Sequence, residues 1–158
     1  MIPGDRDDAA HDYRHGSFGL QVNAPAGMRA DSPRSDTLPA SRVARAHAAR
    51  INALQRYFVD STRLGIPMMP FEETLHGLGR EGATTFPQAI GLAATWDTTL
   101  MGRVAGAIAT EARARGIRHS LSPVINVAND VRWGRVEETY GEDTHLTSAM
   151  GRAYIREF

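Results

Sequence analysis

Two short apolar runs, IPMMPF at 66–71 and LSPVINV at 121–127, alternate with stretches of helical periodicity, and that alternation leaves few folds open. Between Ala40 and Gly65, Val43, Ile51, Leu54, Phe58 and Val59 fall on one helical stripe; Ser41 is placed to cap its start, and Gly65 and Pro67 stop it. A second helix is predicted after Asp97, a good N-cap. Leu100, Val104 and Ile108 share a face at spacing four, Trp96 is placed to staple onto Met101, and Gly116 ends the helix. Asp143 is placed to cap a last helix from Thr144 to Phe158. Strands that alternate with helices pair in parallel, because each helix is the crossover carrying the chain back to the same end of the sheet. The class read from the pattern is therefore α/β with strands near Ile66–Phe71 and Leu121–Val127.

In such folds ligands meet the loops that leave the carboxyl ends of the strands. Here those loops are EETLHGLGR and RWGRVEETYGED. The first offers Glu72, Glu73, His76 and Arg80; the second offers Arg132, Trp133, Arg135, Glu137, Glu138, Tyr140, Glu142 and Asp143. Gly134 and Gly141 argue against a helix through the second. Carboxylates accept hydroxyl protons, guanidinium groups donate, and an aromatic face packs on ring C–H groups, so the set suits a sugar. It equally suits two loops bracing each other by ion pairs. Neighbouring side chains at a strand end point opposite ways, so only one of Glu72 and Glu73 can face a given ligand.

The chain's 158 residues suffice for one domain with a core, and its net charge of zero gives no reason to expect nucleic acid or an anionic membrane as partner. All 18 basic residues are arginine, and with no cysteine a disulfide is excluded. No apolar run reaches the roughly 18 residues of a membrane span. The opening MIPGDRDDAA is acidic where an export signal is basic and then apolar. Residues 1–39, rich in Gly, Pro, Asp, Ser and Ala, read as a flexible leader. His11 and His15 stand four apart in that stretch, a helical metal spacing, but a chance pair is the better reading, and neither a metal nor a cofactor is expected. His119 reads as a packed, hydrogen-bonded residue of the second strand.

IPMMPFEETLHG, TTFPQAIGLAATWD and SPVINVANDVRWGRVEETYGED, in that order and spacing, resemble the N-terminal domain of glycoside hydrolase family 3. The likeness covers residues 45–158 and leans to the β-xylosidase and related β-glucosidase branch, because glutamate stands in FEETLHG where many family glucosidases carry aspartate. Residues 40–158 would then be part of a (β/α)8 barrel, the first three of its eight units. The resemblance implies a retaining hydrolase releasing non-reducing β-linked glucose or xylose from an oligosaccharide or glycoside. It places the acid that grips the sugar's hydroxyls on Glu73 and the arginine that does the same on Arg135, with Arg80 near a further sugar-binding arginine. Arg132, Trp133 and Glu138 would support them. Asn129 and Val131 depart from the family's usual arginine and proline. The family's Lys-His pair, nucleophilic aspartate and acid/base glutamate match positions beyond Phe158, so no catalytic residue is expected in this chain. It reads as a fragment inactive alone and completed by the missing remainder of the enzyme. The other readings are an inactive carbohydrate-binding or interaction piece and one part of a split enzyme.

Overall fold

The computed structural model describes residues 13–22 and 39–158. Strand β1 (Gly19–Leu20) is followed by helix α1 (Ala40–Ser61), strand β2 (Met69–Glu72), helices α2 (Ala89–Ala93) and α3 (Thr98–Ala114), strand β3 (His119–Ser120), a 3₁₀ turn at Val136–Glu138 and helix α4 (Thr144–Ile155). The strands form one sheet in the order β1-β2-β3. Gly19 lies opposite Met69 and Leu20 opposite Pro70 in parallel register, and the Arg118 N–H reaches the Pro70 carbonyl at 2.9 Å. Three parallel strands, each followed by helix, is the α/β order expected of the first units of a (β/α)8 barrel.

Two compact units share the chain. The first runs through Glu72 and adds Arg80–Gly82 and Arg113–His119. Its α1 buries Val43, His47, Ile51, Leu54, Tyr57 and Phe58, and Tyr57 and Phe58 meet edge to face at 5.4 Å. The apolar stripe predicted Val43, Ile51, Leu54 and Phe58 but not His47 or Tyr57, and Val59, also on that stripe, is half exposed. Gly116, with φ +87°, stops α3, and a Cβ there would sit 3.4 Å from Ile51. The second unit holds Glu73–Gly79, Ala83–Ala112 and Ser120–Phe158. Its core joins Leu92 and Ala93 of α2, Met101, Val104, Ala105 and Ile108 of α3, Leu146, Met150 and Tyr154 of α4, and Tyr140.

Several local expectations need correcting. Helix α1 starts without a side-chain cap: Pro39 holds the N-cap position, and its carbonyl accepts from Arg42 N–H and Val43 N–H at 2.8 and 3.3 Å, which leaves Ser41 inside the helix. Trp96 does not act as a staple. Its N–H bonds the Ala93 carbonyl at 3.0 Å, its φ is +57°, and its ring is 69% exposed; it closes α2 in a left-handed turn. The strand expected at Leu121–Val127 is instead β3 at His119–Ser120. Ser122 N–H turns back to Ser120 Oγ at 3.2 Å and Pro123 has no N–H, so this stretch does not continue the ladder. Helix α4 ends at Ile155, short of Phe158. Within residues 1–39, β1 is a strand that sequence periodicity does not reveal, being two residues long. His11 lies outside the described residues, and among those described no group of three or more metal-binding side chains occurs. Among them, too, no helix is long and apolar enough to cross a membrane.

Candidate functional site

The end of β2 sorts its two glutamates by the pleat. Met68, Pro70, Glu72 and Thr74 are buried, while Met69 and Glu73 are exposed, a period of two carried through the strand's last residues. Glu72, in the first unit, is 1% exposed. Arg80 Nε donates to its Oε1 at 2.7 Å, Arg80 Nη2 to the same oxygen, and Gln21 Nε2 to its Oε2 at 2.7 Å. Both carboxylate oxygens are thereby engaged. Of the adjacent glutamates, Glu73 is the one open to solvent.

In the second unit the chain after Glu73 is held at each step. Thr74 N–H donates to Ser122 Oγ at 3.1 Å, and the Thr74 carbonyl accepts from Tyr154 Oη at 2.7 Å. Thr74 Oγ1 meets Tyr154 Oη at 2.8 Å and also contacts Ser120 Oγ. Burial raises the Tyr154 phenol above its ordinary range, so it stays a hydroxyl donor at any physiological pH. His76 Nδ1–H donates to the Phe86 carbonyl at 3.0 Å, and the Phe86 N–H returns to the His76 carbonyl at 2.7 Å. His76 therefore closes a loop through Nδ1.

The second charged loop is closed at its base by Ala128 N–H to the Gly141 carbonyl, 3.0 Å. Inside it the charges pair locally. Arg132 Nε and Nη2 grip Asp130 at 2.9 and 2.6 Å, in the open. Arg135 Nε bonds Glu138 Oε1 and Oε2 at 2.9 and 3.0 Å across one turn of the 3₁₀ segment. The hydrogen bond from Arg132 holds Asp130 below the usual carboxylate range, and that from Arg135 does the same for Glu138. Arg135 is held more firmly protonated by the Glu138 hydrogen bond first and the Glu138 charge second; the fields of Glu73 and Glu137 add to them. So Glu73 and Arg135, exposed side chains of one unit on the segments that leave β2 and β3, lie within electrostatic reach of each other.

Of the other residues read from the sequence, Tyr140 is buried in the core and Trp133 is half buried. Asp143 caps α4 through Leu146 N–H at 2.6 Å, as expected, and Asp97 caps α3 through Thr99 N–H and Leu100 N–H at 2.9 Å each. His119 is exposed. The hydroxyl group formed by Thr74, Ser120, Ser122 and Tyr154 was missed. Thr74 follows Glu73 in the buried phase of the strand, and that alternation was the available signal.

Comparison with known proteins follows the same residues. Residues 38–158 match the model of the glycosyl hydrolase family 3 N-terminal domain. A β-xylosidase of Formosa agariphila is 48% identical over 99 residues, 59% of this chain and 14% of that protein. A β-glucosidase structure from Erythrobacter marinus superposes with TM-score 0.67 at 37% identity, covering 89% of this chain and 17% of the other. A β-glucosidase of Listeria innocua, solved with laminaribiose, gives 0.64 at 32% identity over 70% of this chain and 15% of its own. This chain thus spans about a seventh of the length of these relatives.

Proposed function

Because the chain belongs to glycosyl hydrolase family 3, we propose that it supplies the hydroxyl-gripping part of the sugar site in an enzyme that releases non-reducing β-linked glucose or xylose with retention of configuration. The observation that carries this reading is the pair Glu73 and Arg135: exposed, in one unit, and electrostatically coupled. A carboxylate accepting and a guanidinium donating can hold neighbouring hydroxyls of one monosaccharide. Arg135 has Nε and Nη2 turned to Glu138, which keeps its guanidinium oriented. Arg80 already gives Nε and Nη2 to Glu72, so to hold a sugar it would act from within that ion pair.

The two carboxylates of a retaining mechanism, one attacking the anomeric carbon and one protonating the leaving oxygen about 5–5.5 Å away, come in this reading from the remainder of the enzyme. The remainder is the partner that completes the site. Alone, the chain is expected not to hydrolyse aryl β-glucosides or β-xylosides; joined in frame to the rest of a close relative, it is expected to do so. In the joined enzyme Glu73→Ala lowers kcat/KM by about 30- to 150-fold, the loss of a charge-assisted hydrogen bond worth roughly 2–3 kcal/mol to the transition state. Arg135→Ala acts in the same direction. Unchanged kcat/KM in both variants would overturn the assignment.

A further inference from the structure

His47 lies on the inner face of α1, fully buried, in the first unit. Its Nε2 is 2.6 Å from the Val22 carbonyl. A carbonyl can only accept, so Nε2 carries the proton and Nδ1 holds the lone pair. Nδ1 is buried and has no hydrogen-bond partner among the described residues. Val22 is itself fully buried, two residues after β1. The single bond from His47 therefore ties the end of the first strand's segment to the helix that follows it in the chain. Gln21, next to Val22, makes the second tie, to Glu72 of β2.

We propose that His47 is an acid-released latch: neutral, it holds the segment Gly19–Val22 against α1, and on protonation it lets that segment go. The proton must go to Nδ1, since Nε2 already carries one, in a place where no acceptor among the described residues meets it. Among the described residues, the charges that reach the ring are all positive: Arg115 from the turn before β3, Arg80 from the loop after β2, and Arg50 from α1 itself. The carboxylates on those same elements are Asp60 of α1, Glu73 and Glu81 of the loop after β2, and Glu72, engaged by Arg80 and Gln21; none of the four is among the charges that reach the ring. An imidazolium at this position loses its hydration and faces like charge, and it recovers water only when the segment covering it opens.

The sign of the effect follows. Burial, opposed by the Val22 bond and reinforced by the three arginines, holds His47 below its ordinary value of 6.5 in the folded chain. With the segment open, the ring titrates near 6.5. Above that pH both states are neutral and the latch is at full strength. As pH falls below it, the open state binds the proton first, and opening becomes more favourable by up to tenfold per pH unit.

The test is hydrogen–deuterium exchange of the peptide covering residues 13–22 at pH 7.5 and 5.0, with labelling times scaled for the intrinsic pH dependence of exchange. Protection in the wild-type chain is expected to fall by about 10- to 30-fold, the one-proton linkage over that interval. His47→Gln keeps an N–H for the Val22 carbonyl and cannot titrate, so its protection stays level. Equal losses in wild type and variant, or no loss in the wild type, overturn the proposal. Should the variant fail to fold, the ring's own titration in the wild type decides by NMR: a midpoint well below 6.5 supports the latch, and a midpoint at or above 6.5 refutes it.

Discussion

Glu72 and Arg80 form a buried ion pair at the end of β2: Arg80 Nε meets Glu72 Oε1 at 2.7 Å while Gln21 Nε2 takes the opposite oxygen, and the carboxylate is 1% exposed. A buried charge is tolerable only while its partners stay. Arg80→Ala would leave Glu72 with Gln21 as its one side-chain partner among these, and we expect a loss of about 3 kcal/mol, read as a lower urea midpoint with unchanged slope. Replacing both groups, Glu72→Leu with Arg80→Met, should recover most of it, because no lone charge remains. An Arg80→Ala midpoint equal to wild type would show that Glu72 is solvated in solution.

Gly77 is a second fixed point of the loop after β2. Its φ is +127°, and a Cβ on it would lie 2.3 Å from the Thr84 carbonyl oxygen, a backbone atom that cannot swing aside. Gly77 also bridges to Thr85. Gly77→Ala should therefore destabilise by about 2–4 kcal/mol, the combined cost of the left-handed backbone and a forced shift of the Thr84–Thr85 backbone. Thermal melting of Gly77→Ala beside Gly134→Ala, where an added Cβ meets nothing within 4 Å, checks this; similar melting temperatures for the two would refute it.

How far the sequence could be read depended on the length scale of each signal. Helices α1 and α3 span 22 and 17 residues, long enough for an apolar stripe to show, and Asp97 and Asp143 announce their caps by type and place. Strand β1 has two residues and helix α2 has five; neither is long enough to display a period. The end of β3 was misplaced because Ser120 and Ser122 satisfy backbone groups with side chains, which apolar patterning does not register. In the site, pleat logic separated Glu72 from Glu73, and motif resemblance selected Glu73 and Arg135. The pairing of Arg80 with Glu72 joins residues eight positions apart around a loop, and no local pattern encodes it.

The pair Arg135 and Glu138 can be followed by pH. The Arg135 hydrogen bond holds Glu138 below the usual carboxylate range. Glu138 in the folded chain therefore stays ionised to lower pH than in the unfolded chain. The stability this contributes is present above the unfolded value and is lost as pH falls through the folded one. Carbon-detected NMR of the carboxyl groups should show Glu138 titrating below the ordinary glutamate midpoint in wild type and moving upward in Arg135→Ala. A Glu138 midpoint that does not respond to the substitution would mean that the pair does not persist in solution.

Tyr154 offers the sharpest test of the hydroxyl group around Thr74. Its phenol has one proton, which goes to the Thr74 carbonyl at 2.7 Å, so at 2.8 Å it must accept from Thr74 Oγ1. Thr74 Oγ1 in turn accepts from Ser120 Oγ. Tyr154→Phe removes both the donor and the acceptor while keeping the ring, which is 1% exposed and stacked on Phe158 at 4.9 Å, in its place. The Thr74 carbonyl and hydroxyl are then left short of partners, at a cost of about 1–3 kcal/mol. Thr74→Val removes the hydroxyl but leaves the carbonyl bond, so the two changes overlap: the double variant should lose less than the sum of the singles, by about 0.5–1 kcal/mol in a double-mutant cycle of urea midpoints. Strict additivity would show that the two hydroxyls do not interact. Glu73 is the residue before Thr74. In the joined enzyme, the same Tyr154→Phe change should raise KM in wild type and have little further effect once Glu73 is alanine, because the bonds at Thr74 act on the sugar only through the carboxylate they orient.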